Sequence, residues 1–232
     1  MLKLRGQKDI LDLVPEKFPK QNYREINKLA NTKYKNNEFV INQFLGGWNA
    51  IIYRYLACIE SDQNFLKLIK KYSDAPPQPF RYFQERELFN FFVNGLSIFD
   101  CFGYSVYMLY SVINPNNFIV TQNNLGWIKL KKVKNALIEF YSTENLSIKL
   151  NSLFNSRNFK DFREIRNILA HRESPPGRTI RLSVGSIRGR KSALWINGIE
   201  LDENTTSSRL TWMEGNLFEL IEYLNDFIKK HY

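Results

Sequence analysis

The sequence predicts a mainly α-helical protein with a small β-hairpin insertion before its last helix. Three observations carry this. Apolar residues recur at three- and four-residue intervals along most of the 232 residues. The period falls to two only within about 179–203, where an Asn-Gly pair sits between apolar runs. Prolines punctuate the ends of the helical stretches.

Residues 1–36 are rich in Lys and Asn, and Pro15 and Pro19 break any long helix, so they read as a loosely packed N-terminal extension to a helical domain over 37–232. From Glu38 the spacing of Phe39, Phe44, Trp48, Ile51, Ile52 and Leu56 predicts a long helix. A shorter one through Phe65, Leu66 and Ile69 follows and stops at Ala75-Pro76-Pro77. A second long helix is expected from about Phe80 to Ile113, ending at Asn114-Pro115. Within it Glu87, Asn90, Asn94, Ser97, Asp100 and Tyr104 follow steps of three or four, a polar stripe on an otherwise apolar helix.

Helical patterns resume over 129–141, 146–154 and 159–172. The last has Phe159, Phe162, Ile165 and Leu169 as its core stripe and stops at Pro175-Pro176-Gly177. Ile180, Leu182 and Val184 then alternate with polar residues, and Leu194-Trp195-Ile196 leads through Asn197-Gly198 into Ile199-Glu200-Leu201, a hairpin signal. Thr211 and Glu214 have the spacing of a capping box at the start of a final helix, whose apolar face is Leu217, Leu220, Ile221, Leu224 and Ile228.

Composition narrows the function. With 33 Lys and Arg against 23 Asp and Glu, the net charge is +10, which favours a polyanionic partner, nucleic acid first. The 18 Phe, 12 Tyr and 4 Trp imply a well-packed core. Cys58 and Cys101 both fall in apolar helical pattern and read as buried free thiols of a reducing compartment, so a cytoplasmic location is expected. Met1 to Asp9 lacks the apolar core of a signal peptide. Phe89 to Ile113 is the one stretch resembling a membrane span, but Asn90, Asn94, Ser97 and Asp100 interrupt it, and it reads as a core helix. There is no Cys or His cluster at zinc spacing, no phosphate-cradling glycine loop and no serine-nucleophile elbow. Gly46-Gly47 reads as a helix irregularity or a close-packing point. No metal or cofactor is expected.

Chemistry concentrates in 162–171, where His171, one of only two histidines, follows Arg166 by five residues. An unperturbed histidine titrates near neutrality and can take and return a proton, while arginine presents a permanent planar fork to phosphate oxygens. The pair suits attack of a ribose 2′-hydroxyl on the adjacent phosphorus. His171 would handle a proton and Arg166 would stabilise charge on the phosphoryl oxygens. Five helical residues separate the two Cβ atoms by roughly 140°, so Arg166's long arm, or fraying near Pro175, must reconcile them. Glu164 and Asn167 share the face of His171 better and are candidates to orient its imidazole. Asn94, Ser97 and Asp100 are either further supports or ordinary polar residues of a core or interface. The basic groups Lys129-Lys131-Lys132-Lys134 and Arg188-Arg190-Lys191 read as solvated surface or as RNA grip, with Lys131, Lys132, Arg188, Arg190 and Lys191 the RNA-binding candidates. Trp195 would stack on a base or pack on the bundle.

Arg166-Asn167-Ile168-Leu169-Ala170-His171 resembles the signature of the HEPN (higher eukaryotes and prokaryotes nucleotide-binding) superfamily: Arg, four to six residues, then His, with Asn often following the Arg. The order of elements is similar over about 38–232, the motif over 162–171 alone. The resemblance implies a HEPN-like helical bundle, with the motif on a late helix and one helix after it. It also implies a homodimer that brings two motifs to one cleft, and a metal-independent endoribonuclease acting as a toxin or antiviral defence effector. An antitoxin or other inhibitory protein would be a partner, RNA the substrate, and no membrane is involved. The alternative is a non-catalytic HEPN module for RNA binding or dimerisation. The N-terminal extension and the β insertion depart from the minimal bundle. No Tyr stands two residues beyond His171, where Glu173 is found, so silencing by nucleotidylation of such a Tyr does not carry over.

Overall fold

The computed structural model describes residues 9–33, 37–171, 178–182 and 191–231, with 33, 179–182, 191 and 192 described by backbone alone. The protein is mainly helical. In chain order the elements are α1 (Lys20–Lys33), α2 (Glu38–Tyr72), α3 (Gln78–Ile113), α4 (Leu130–Tyr141), α5 (Asn145–Asn155), α6 (Arg157–His171), β1 (Thr179–Leu182), β2 (Lys191–Leu194) and α7 (Asn204–His231). Short 3-10 turns lie at Ile10–Asp12, Gln122–Trp127 and Ile196–Gly198. Contacts divide the chain into two units: Met1–Leu56 with Ile98–Phe154 and Asn216–Tyr232, and Ala57–Ser97 with Asn155–Gly215.

In the first unit, residues 9–33 correct the expectation of loose packing. Leu11, Val14, Phe18, Tyr23, Ile26 and Ala30 are buried. The Tyr23 ring stacks on Trp48 with centroids 4.7 Å apart, and its hydroxyl donates to the Trp48 carbonyl at 2.8 Å. Pro19 stands just before α1, where its carbonyl accepts from the Tyr23 N–H and a proline costs no helical bond, and the apolar side of α1 covers α2. Deeper in α2, a Cβ built on Gly47 would fall 2.6 Å from Ser105 Oγ, so this glycine is a close-packing point between α2 and α3. Tyr110 of α3 stacks on Phe227 of α7 with centroids 4.6 Å apart.

Helix α2 is continuous to Tyr72 where two helices were expected, because residues 57–64 contain neither Gly nor Pro and Cys58, Ser61 and Asp62 are buried. Helix α3 is long and apolar enough to cross a membrane by length and composition, and 67% of its most apolar window is buried within the protein.

In the second unit, β1 pairs antiparallel with β2 in the register Thr179 with Leu194 through Leu182 with Lys191. The connection at 183–190, including Val184, lies outside the described residues. Asn197 (φ 57°) and Gly198 (φ 76°) both take the left-handed conformation that a tight reversal requires, but across this turn only an isolated bridge, Leu194 with Glu200, forms. Helix α7 starts about two turns before the Thr211-Glu214 box. Asp202 accepts from the Asn204 N–H at 2.8 Å and Thr205 Oγ1 accepts from the Asp202 N–H at 2.8 Å, while Thr211 lies inside the helix and donates to the Ser207 carbonyl. The helix starts earlier because Asp202 caps the Asn204 amide while Thr205 holds the Asp202 amide in return, which fixes an N-terminus two turns upstream of Thr211.

Candidate functional site

Helix α6 begins where Ser156 Oγ accepts from the Phe159 N–H at 3.2 Å, and it buries Phe159, Phe162, Ile165 and Leu169, the expected stripe. Phe162 fixes its seat. The ring lies 4.9 Å from Phe92, 5.8 Å from Phe91 and 6.1 Å from Trp212, and Gly95 of α3 leaves the space for its edge. With that stripe inward, the remaining faces of α6 carry polar groups outward.

Arg166 is half-buried and donates from Nη1 to Asn167 Oδ1 at 3.2 Å. His171 is exposed in the last turn. The helix stays regular through His171, so the roughly 140° between the two side chains persists and fraying before His171 does not close it. Asn167 engages Arg166. Neither its side chain nor that of the exposed Glu164 hydrogen-bonds the His171 imidazole among the described residues.

On α3, Asn94 donates to the Asn90 carbonyl at 2.9 Å and Ser97 to the Val93 carbonyl at 2.7 Å, so part of the polar stripe is satisfied by its own helix. Further along the stripe Tyr104 donates to Gln43 Oε1 at 2.6 Å. Asp100 is half-buried and belongs to the first unit, whereas Asn94, Ser97 and α6 belong to the second. Lys131 and Lys132 are exposed on α4 in the first unit, with Lys132 Nζ 5.2 Å from the Tyr107 ring centroid. Arg188 and Arg190 lie outside the described residues, as does the side chain of Lys191. Trp195 packs: it is 3% exposed, sits 5.7 Å from Phe92 and donates from Nε1 to Glu85 Oε2 at 3.2 Å.

Three features escaped the sequence reading. Arg157, Lys160, Arg163 and Arg166 place a cation at every third position from 157 to 166, a periodicity visible in the sequence but masked by the motif itself. Arg178 reaches Glu85 Oε1 and Gln84 Oε1 at 2.8 Å each and the Asp74 carbonyl at 2.8 Å, while Asp74 Oδ2 accepts from the Ala193 N–H at 2.7 Å. Partners 93 to 119 residues apart leave no local signal. Asp62 is buried near Glu214: burial pushes its carboxyl above the usual range, and the Glu214 charge adds to the shift. Among the described residues no group of three His, Cys, Asp or Glu side chains could hold a metal ion.

No protein-family model, curated protein or solved structure matches the chain.

Proposed function

We propose that the chain is a metal-independent endoribonuclease of the HEPN type, a toxin or antiviral defence effector, with Arg166 and His171 as catalytic residues. The observation that carries this reading is the exposed His171 in the last turn of α6, a helix that also carries Arg166 and the cations Arg157, Lys160 and Arg163. An exposed imidazole can meet a ribose 2′-hydroxyl, and a cationic helix can hold the adjacent phosphates. The 2′-oxygen attacks phosphorus, the 5′-oxygen leaves, and the products carry 2′,3′-cyclic phosphate and 5′-hydroxyl ends.

A regular helix aims Arg166 and His171 in directions about 140° apart, so one copy offers the two groups poorly to a single phosphate. A second copy related by a two-fold axis would supply each with its counterpart, which makes a homodimer the active form. Such an activity in its own cytoplasm needs restraint, for which an inhibitory protein partner is the proposed means.

The test is cleavage of synthetic RNA and its all-DNA equivalent by the purified protein in EDTA, wild type against His171→Ala, with analysis of the product ends. Cyclic-phosphate ends that disappear in the variant, with DNA spared, support the proposal. Cleavage indifferent to His171→Ala overturns the catalytic assignment, and an RNA that is bound but never cut points to a non-catalytic binding module.

A further inference from the structure

We propose that a groove of about 620 Å³ in the first unit, between the end of α3 and α4, binds single-stranded RNA through base stacking on Trp127 and phosphate contacts from Lys129, Lys131 and Lys132. Ile128 and Leu130 are 5% and 3% exposed, and Lys129 is extended (φ −103°, ψ 157°), so alternate residues are drawn inward. Trp127 and Lys129 are thereby turned out together, and Trp127 is left 72% exposed, the most exposed of the large hydrophobic side chains described.

A tryptophan turned outward beside buried neighbours offers an open stacking surface, and it lies beside mainly positive charge. Lys129, Lys131 and Lys132 line the groove against a single acid, Glu139. Lys132 Nζ stands over the Tyr107 ring at 5.2 Å, and neither Lys129 nor Lys131 forms an ion pair among the described residues. Asn117 and Asn135 offer amide donors and acceptors from the walls, with no side-chain hydrogen bond of their own among the described residues. Aromatic platform, cations and amides together match the requirements of an unpaired strand, whose bases are free to stack and whose backbone is anionic. A duplex keeps its bases stacked on each other and would leave Trp127 idle. The volume lies in the range of sites that hold a nucleotide-sized group. The choice of RNA over DNA rests on the proposed ribonuclease function; the groove's preference for a single strand does not.

The experiment measures fluorescence anisotropy of labelled 12-mer oligouridylate with the full chain carrying His171→Ala, so that cleavage does not intervene. Trp127→Ala should weaken binding by roughly tenfold and Trp127→Phe by less, because one stacked base is lost or kept. Alanine at Lys129, Lys131 and Lys132 together should reduce the slope of log affinity against log salt by about 2, as expected for three lost phosphate contacts on a single strand. All four sites are exposed, and unchanged circular-dichroism melting would show that the variants fold. Wild-type affinity and salt slope in these variants would overturn the proposal. So would a duplex that binds as tightly as the single strand, or polyglutamate that competes with the same dependence on Trp127, which would assign the groove to an acidic protein. Cleavage is the readout for His171, so loss of the groove and loss of the ribonuclease reading are told apart.

Discussion

Arg178 donates from Nε to Glu85 Oε1 at 2.8 Å in an ion pair whose side chains are only 3% and 7% exposed. The same guanidinium reaches Gln84 and the Asp74 carbonyl, so one side chain ties the segment that follows α6 to the start of α3 and to the turn before it.

Removing one partner of a buried pair leaves the other charge stranded, at a cost of about 3–5 kcal/mol. Glu85 keeps Arg81 at 3.4 Å and the Trp195 indole at 3.2 Å, so Arg178→Ala should fall at the low end, ~3 kcal/mol by urea denaturation. Arg178→Lys should recover little of this, because an ammonium lacks the planar fork that serves three acceptors at once. A lysine variant as stable as wild type would show that charge alone, not the fork, holds the clasp.

Gly95 sets how closely α6 approaches α3. A Cβ there would lie 2.6 Å from Phe162 Cζ and 3.4 Å from Met213 Sδ. Gly95→Ala gains about 1 kcal/mol of helix propensity but overpacks the contact at a cost of about 1–3 kcal/mol. The net should be destabilising, and the double variant with Phe162→Leu should lose less than the sum of the single changes. Strict additivity in thermal melts would mean the ring moves aside freely.

The fold was readable where local pattern dominates. Phe159, Phe162, Ile165 and Leu169 declared the buried side of α6 by spacing alone, and Asn197-Gly198 declared its turn by the need for positive φ. Local pattern failed where a distant contact decides. Pro15 and Pro19 suggested a loose terminus, but Tyr23 finds Trp48 25 residues away. The Thr211-Glu214 spacing suited a cap that Asp202 and Thr205 had already supplied. In the candidate site, Asn167 was expected to orient His171 but accepts from its neighbour Arg166 instead, and Arg178 with Glu85 depends on the fold.

Two carboxylates should shift acid stability in opposite directions. Burial raises the Asp62 carboxyl in the folded protein, so its contribution is fully present below the unfolded value near 3.9 and is lost as pH rises through the folded value. Asp62→Asn should therefore melt higher than wild type at pH 7, with the gap narrowing towards pH 4. Glu25 accepts hydrogen bonds from Lys229, Asn225 and Gln21, which pull its carboxyl down to about 2, so its contribution is present above the unfolded value near 4.3 and is lost as pH falls towards 2. Glu25→Gln should melt lower than wild type at pH 7 and match it near pH 2. Parallel pH profiles for both variants would contradict these environments.

At α6, chemistry and fold should respond separately to substitution. The His171 side chain is exposed and makes no hydrogen bond among the described residues, so His171→Ala should change stability by no more than about 0.5 kcal/mol. Arg166 is half-buried and bonded to Asn167 at 3.2 Å, so Arg166→Ala should cost somewhat more, about 0.5–1.5 kcal/mol. If His171 moves the proton, its loss should lower the cleavage rate by about 10² to 10⁴. Arg166→Lys keeps a charge without the bidentate fork and should be clearly slower than wild type. Mixing the Arg166→Ala and His171→Ala chains adds the decisive measurement. If each active cleft takes one group from each copy, the mixed dimer retains one intact pair of Arg166 and His171 and should recover part of the activity that neither variant has alone. Mixing that restores nothing, from chains shown to exchange subunits, would place both groups in the same copy and remove the dimeric cleft from the mechanism.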